Sequence, residues 1–219
     1  MDNELIIQAI VKQGMLPLYY HATADVSIAV TKALYRAGIR VVEYTNRGEN
    51  AVRNFELLKA ERDNSMPGLL LGVGTIKTPD DARKFISLEA DFIISPGTIP
   101  SIGLLCNAAA ILWIPGCMTP TEIILAEESG ATLVKLFPGN ILGPGYVSTI
   151  KEIFPNLIFM ATGGVDTTKE NLKAWFTAGV SAVGMGSKLI SKTLLEKADY
   201  AGIEEQTVAV RGLIESIRE

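Results

Sequence analysis

Lys135 lies inside TLVKLFPG (132–139), a run whose other side chains are those of a buried strand. Lysine is among the residues least often buried without a partner, and its ammonium is costly to desolvate. Two readings compete. A lysine at a strand end can lay its stem on apolar neighbours and carry its head to water. A desolvated lysine held as the free amine is instead a nucleophile toward carbonyl carbon.

Glu43 poses the same question in RVVEYTNR (40–47), and an internal repeat links the two residues. The segments RAGIRVVEYT, ESGATLVKLF and TAGVSAVGMG each carry a helix-ending glycine followed by a strand. Five positions after that glycine stand Glu43, Lys135 and Gly184. A free amine beside a carboxylate can form an imine with a ketone or 2-oxo acid. The iminium is an electron sink for breaking or forming the carbon–carbon bond β to it, and Glu43 is the natural proton shuttle. Burial favours the free amine of a lysine and a neighbouring carboxylate opposes it. The competing reading is a structural salt bridge, which apolar residues of similar size often replace without loss.

Other residue types narrow the chemistry. His21 is the only histidine, which argues against a zinc site of two or three histidines and against a Ser-His-Asp triad. Magnesium held by carboxylates stays open on residue types alone. ATGGVD (161–166) and GMGSKL (184–189) place Thr162, Gly163, Gly164, Gly184, Gly186 and Ser187 around the ends of two late strands. Glycine loops of this kind, with a helix following Ser187, suit a phosphate group. Arg47 at the end of EYTNRG could clamp a carboxylate bidentately, or be a solvated loop arginine. Thr75 in GVGTIKTP could offer a hydroxyl to a substrate, while Pro96 in ISPGT shapes the wall.

These side chains need a scaffold that brings strand ends together. Short β-rich runs fall at 16–20, 40–44, 69–73, 91–95, 111–115, 132–137, 157–161 and 181–185, with helical-period stretches between them. One such stretch, DVSIAVTKALYRAG, has Val26, Ala29, Val30, Ala33, Leu34 and Ala37 on one face and Gly38 to close it. Eight alternating strands predict a closed (β/α)8 TIM barrel of the α/β class, with active-site residues at the C-terminal ends of its strands. Equal offsets on the second and sixth strands then put Glu43 and Lys135 in one interior layer at that mouth. The expected division is a single domain over 1–219: an N-terminal helix (1–14), the barrel (16–190) and a C-terminal helical segment (193–219).

At 219 residues, 48% hydrophobic and 20% charged, the chain fits one globular domain. A net charge of −4 without a recurring basic cluster argues against nucleic-acid or anionic-membrane partners. The opening MDNELIIQAIVKQG lacks a basic stretch and a cleavage site, so it reads as an amphipathic helix rather than a signal peptide. No run is long enough for a membrane span. A cytoplasmic protein with Cys106 and Cys117 as reduced, buried thiols is the expectation.

Taken in order, VVEYTNR, GVGT, FIISPG, IPGCMTP, KLFPG, ATGGV and GMGS resemble the 2-keto-3-deoxy-6-phosphogluconate/2-keto-4-hydroxyglutarate aldolase family, from about Gly14 to Ser187. The resemblance implies a class I aldolase without metal or other cofactor. Its substrate would be a phosphorylated 2-keto-3-deoxy sugar acid, cleaved reversibly to pyruvate and glyceraldehyde 3-phosphate, or 4-hydroxy-2-oxoglutarate, cleaved to pyruvate and glyoxylate. By that resemblance Lys135 is the Schiff-base lysine, Glu43 the proton-transferring glutamate and Arg47 the ligand of the pyruvate carboxylate. Thr75, Pro96 and Thr162 would meet the rest of the pyruvate and hydroxyl end, and Gly163, Gly164, Gly186 and Ser187 the phosphate. It also implies a homotrimer. One departure stands out: many relatives carry an arginine at the end of strand one, where LPLYYHA has Tyr20 followed by His21. His21 either stands in for the missing donor or is a mouth histidine with partners of its own. Two other functions fit the same loops. One is an isomerase or epimerase using Glu43 as base and Lys135 as an electrostatic stabiliser. The other is a sugar-phosphate binder without catalysis.

Overall fold

A computed structural model describes residues 2–219. Nine strands follow one another in a single parallel sheet: β1 (Met15–Tyr19), β2 (Val41–Thr45), β3 (Leu70–Gly74), β4 (Phe92–Ile94), β5 (Leu112–Ile114), β6 (Gly116–Cys117), β7 (Leu133–Leu136), β8 (Ile158–Thr162) and β9 (Ala182–Met185). Hydrogen-bonded neighbours run β5-β4-β3-β2-β1-β9-β8-β7-β6. The two ends of that series, β5 and β6, adjoin in the chain at Pro115. The sheet therefore closes through the chain itself, and the barrel has eight staves, the fifth broken in two.

The break has a local cause. Proline has no N–H for the ladder, so Leu112–Ile114 pairs with β4 on one side of Pro115 and Gly116–Cys117 pairs with β7 on the other. The Pro115 carbonyl still accepts from Lys135 N–H at 2.9 Å. The run at 111–115, expected as one strand, thus becomes two short ones. The other seven expected strands are present, with boundaries moved by one or two residues.

Side chains alternate along each stave. Val42, Tyr44, Leu71, Val73, Val134, Leu136, Phe159 and Val183 point outward into the layer shared with the helices α2 (Ala24–Arg36), α3 (Ala51–Ser65), α4 (Pro79–Ser87), α5 (Pro100–Ala108), α6 (Pro120–Glu128), α7 (Gly139–Ile153) and α8 (Lys169–Thr177). Val41, Leu70, Phe92, Leu112, Leu133 and Ala182 point inward at the N-terminal ends of the staves. There they form a second cluster with Ile6, Ile7 and Ile10.

Those three isoleucines belong to α1 (Asn3–Gln13). The Asp2 side chain caps it, accepting from Glu4 N–H, and Gly14 ends it in the left-handed region at φ 72°. The helix is a stopper for the barrel floor. Gln13 stitches it in place: its amide donates to the Met15 and Val41 carbonyls, and its oxygen accepts from the Arg40 and Val41 N–H groups. At the other terminus the expected helical segment is two helices, α9 (Lys192–Glu196) and α10 (Tyr200–Arg218), the longer packing on α2 and α8. With the floor closed by α1, the opposite mouth is the open end. No helix is long and apolar enough to cross a membrane among the described residues.

Candidate active site

Glu43 and Lys135 are inward residues of β2 and β7. Glu43 is level with Leu18 and Gly72 on its flanking staves, and Lys135 with Gly116 and Met160. Across the barrel the Lys135 ammonium lies 3.6 Å from Glu43 Oε1, and the two residues are 5% and 0% exposed. The matched offsets read from the sequence therefore do put both in one layer at the mouth. Glycine makes the room: a Cβ on Gly74 would fall on the Glu43 carboxylate, and one on Gly184 would fall on the Thr162 hydroxyl.

What is missing around these groups matters as much. Neither carboxylate oxygen of Glu43 has a hydrogen-bond partner, nor has Thr162 Oγ1, 6% exposed, among the described residues. Buried polar groups left unpaired cost about 1–3 kcal/mol each, and a catalytic role is one reason such a group is kept. The Phe137 ring lies 5.6 Å from the Lys135 ammonium and supplies an apolar wall.

Arg47 and Thr75 meet at the mouth: Arg47 Nε donates to Thr75 Oγ1 at 3.3 Å. Thr75 holds a left-handed backbone, φ 63°. For a β-branched residue that conformation is strained, and strain of this kind collects at functional sites. The backbone of Pro96 packs against Gly116, where a Cβ would collide with its carbonyl.

A cavity of about 360 Å³ opens at this mouth, lined by Leu18, Arg47, Phe137, Thr162 and the two glycine-bearing loops. Gly163 and Gly164 take φ 92° and 71° and press against Gly139 and Asn140 at the start of α7. Both the backbone sign and the close approach exclude larger residues there. Gly186, Ser187 and Lys188 line the cavity from the other loop. The helix expected after Ser187 is a single turn, closed by Leu189 and Ile190 N–H donating to the Gly186 carbonyl. The next helix, α9, begins at Lys192. A larger cleft of about 520 Å³ opens near Lys169, Phe176 and Arg218. It shares no lining residue with the Lys135 mouth.

Of the sequence candidates, Arg47, Thr162, Gly163, Gly164, Gly184, Gly186 and Ser187 line one cavity beside the Lys135–Glu43 layer, with Thr75 bonded to Arg47. His21 is not among the lining residues: its Nδ1 accepts from Thr23 N–H at 3.1 Å, so it has a partner of its own and does not replace a mouth cation. Tyr20 packs its hydroxyl over Gly48. Sequence reasoning missed Asp166, Asn171 and Lys188. The Asp166 N–H donates to Asn171 Oδ1, Asn171 Nδ2 donates to the Gly164 carbonyl, and Lys188 pairs with Asp166 at 3.0 Å. The one available signal was that Asp166 and Lys188 directly follow the two glycine motifs.

Comparisons with known proteins agree with this geometry. The family model described as KDPG and KHG aldolase matches residues 6–206. The chain is 30% identical to the 2-dehydro-3-deoxy-6-phosphogalactonate aldolase of Escherichia coli K12, over 81% of this chain and 85% of that protein. It is 29% identical to the 2-dehydro-3-deoxy-phosphogluconate aldolase of Haemophilus influenzae, over 99% and 98%. The KDPG aldolase of Legionella pneumophila, solved with pyruvate captured as a covalent carbinolamine, superposes with a TM-score of 0.83 at 26% identity, covering 92% of this chain and 96% of that one. The chain belongs to the KDPG and KHG aldolase family.

Proposed function

We propose that this protein is a class I aldolase that cleaves a 2-keto-3-deoxy sugar acid, phosphorylated at its far end, to pyruvate and an aldehyde, with Lys135 as the Schiff-base residue. The observation that carries this reading is the buried pair 3.6 Å apart whose carboxylate has no hydrogen-bond partner. A bridge kept for stability would satisfy those oxygens; a proton shuttle needs them free.

The steps follow from the positions. Lys135 passes its ammonium proton to Glu43, the freed Nζ adds to the C2 carbonyl carbon, and the carbinolamine loses water as Glu43 delivers that proton to the departing hydroxyl. Glu43, now a carboxylate, takes the proton of the C4 hydroxyl. The C3–C4 bond breaks, its electron pair moves into the iminium to give an enamine, and the aldehyde leaves. Protonation at C3 and hydrolysis return pyruvate and the free amine. Arg47, steadied by Thr75, is the ligand for the C1 carboxylate, Thr162 meets a substrate hydroxyl, and Pro96 bounds the pyruvate end. Gly163, Gly164, Gly186 and Ser187 hold the phosphate.

We also read the protein as a cytoplasmic homotrimer. Support comes from exposed apolar side chains on three successive outer elements: Leu104 on α5, Met118, Ile124 and Leu125 at α6, and Ile141 on α7. Exposed apolar side chains on successive elements suit a contact between copies of the chain.

Pyruvate release from 2-keto-3-deoxy-6-phosphogluconate, its galactonate epimer and 4-hydroxy-2-oxoglutarate tests the activity. Lys135→Arg keeps the charge without a usable amine, and turnover is expected to vanish while the fold persists. Near-normal turnover by that variant would contradict the imine step.

A further inference from the structure

The far end of the cavity holds a charge that the proposed chemistry does not use. Lys188 stands on the turn after β9, its side chain 62% exposed, and among the described residues its only ion-pair partner is Asp166, 3.0 Å away. Asp166 is fixed where Lys188 is not. Its Oδ1 accepts from Thr167 N–H at 2.7 Å, and its own N–H is tied through Asn171 to the carbonyl of Gly164. The hydrogen bond from Lys188, and then that from Thr167 N–H, hold the Asp166 carboxyl below the usual carboxylate range. It is an anion throughout the neutral range, beside the loop that is to receive another anion. The Ser187 and Lys188 N–H groups have no partner among the described residues. Thr162, buried and unpaired, faces the same cavity. Among the described residues, Arg47 is the other cationic side chain that lines the cavity.

We propose that Lys188 is a specificity residue for the far end of the substrate, and that Asp166 is its internal competitor. Without ligand, the ammonium rests on Asp166. A dianionic phosphoryl group seated on the glycine loops carries more charge than one carboxylate and takes the ammonium over. A neutral hydroxyl end cannot, so the pair discriminates for phosphorylated acids over unphosphorylated ones. This rests on the aldolase reading for the identity of the substrate, though not for binding of the anion itself.

The alternative role, a surface bridge that merely ties the two loops together, makes an opposite forecast. Lys188→Ala and Asp166→Asn both break the bridge and, on that view, shift anion binding in the same direction. On ours they diverge. With inorganic phosphate as probe and calorimetry at fixed ionic strength, Lys188→Ala is expected to raise Kd about ten-fold, the loss of roughly one charge-assisted hydrogen bond. Asp166→Asn keeps the acceptor for Thr167 N–H and is expected to lower Kd several-fold. Shifts of the same sign, no shift in either variant, or a wild-type protein that binds no phosphate would each overturn the proposal. The aldolase reading is scored separately by pyruvate capture on wild-type Lys135, so a failure there leaves the phosphate result standing.

Discussion

Glu43 and Lys135 face each other because β-strand alternation and equal offsets from the preceding glycines leave them no other arrangement once the barrel closes. That made the pair legible from sequence, by residue and by layer. Glu43→Gln removes the proton shuttle without removing volume. The expected result is a fall in kcat of roughly 10²–10⁴ with the pyruvate imine still trappable, checked by steady-state kinetics alongside capture. Thr75 was legible as a residue and not as a conformation, since nothing in GVGTIKTP reveals φ 63°. A left-handed non-glycine residue costs about 1–3 kcal/mol, and glycine costs about 0.5–1 kcal/mol in added chain entropy. Thr75→Gly is therefore expected to hold or raise Tm while kcat/KM falls, because Arg47 loses the hydroxyl it donates to. A lower Tm would mean that the strained turn is not where the energy lies. The Asp166–Lys188 contact escaped the sequence because it joins two loops that only the parallel pairing of β8 with β9 brings together, and no local pattern encodes it.

Elements were easier to find than to place. Seven strands matched because apolar runs between helical periods leave little choice. The fifth split because Pro115 cannot donate to the ladder. The N-terminal helix was visible as an amphipath, but only the packing of Ile6, Ile7 and Ile10 against the first inward residue of each stave identifies it as the floor. Ile10, fully buried, tests this: Ile10→Ala is expected to cost about 2–5 kcal/mol in urea unfolding while KM at the opposite mouth stays unchanged. The cysteines belong to this scale too, since their behaviour is set by what covers α5 and β6. Burial pushes the Cys117 thiol up to about 11 and the Cys106 thiol to about 12, from 9.0. Above pH 9 the unfolded chain therefore holds fewer protons at these thiols than the native one, so stability falls as pH rises toward 11–12. The slope is on the order of 1 kcal/mol per pH unit for each thiol. Urea titrations from pH 8 to pH 11 are expected to show that loss, and Cys106→Ala with Cys117→Ala to flatten it. An alkaline limb unchanged by both substitutions would contradict the assignment.

At the scale of the whole molecule, a closed floor and an open, glycine-lined mouth leave one route for substrate, at the C-terminal ends of the staves. Fold class was legible because eight alternating strands admit few topologies. Function was legible through the seven motifs that resemble the aldolase family in their order, since the barrel alone hosts many chemistries. On the trimer reading proposed above, light scattering is expected to return three times the chain mass of 23.6 kDa. The claim on which the rest depends is the covalent one. Intact protein incubated with pyruvate and borohydride, then digested and weighed, is expected to carry one reduced pyruvyl group on the peptide containing Lys135 and none in Lys135→Arg. Folded protein without that adduct, or with it on another lysine, would contradict the account.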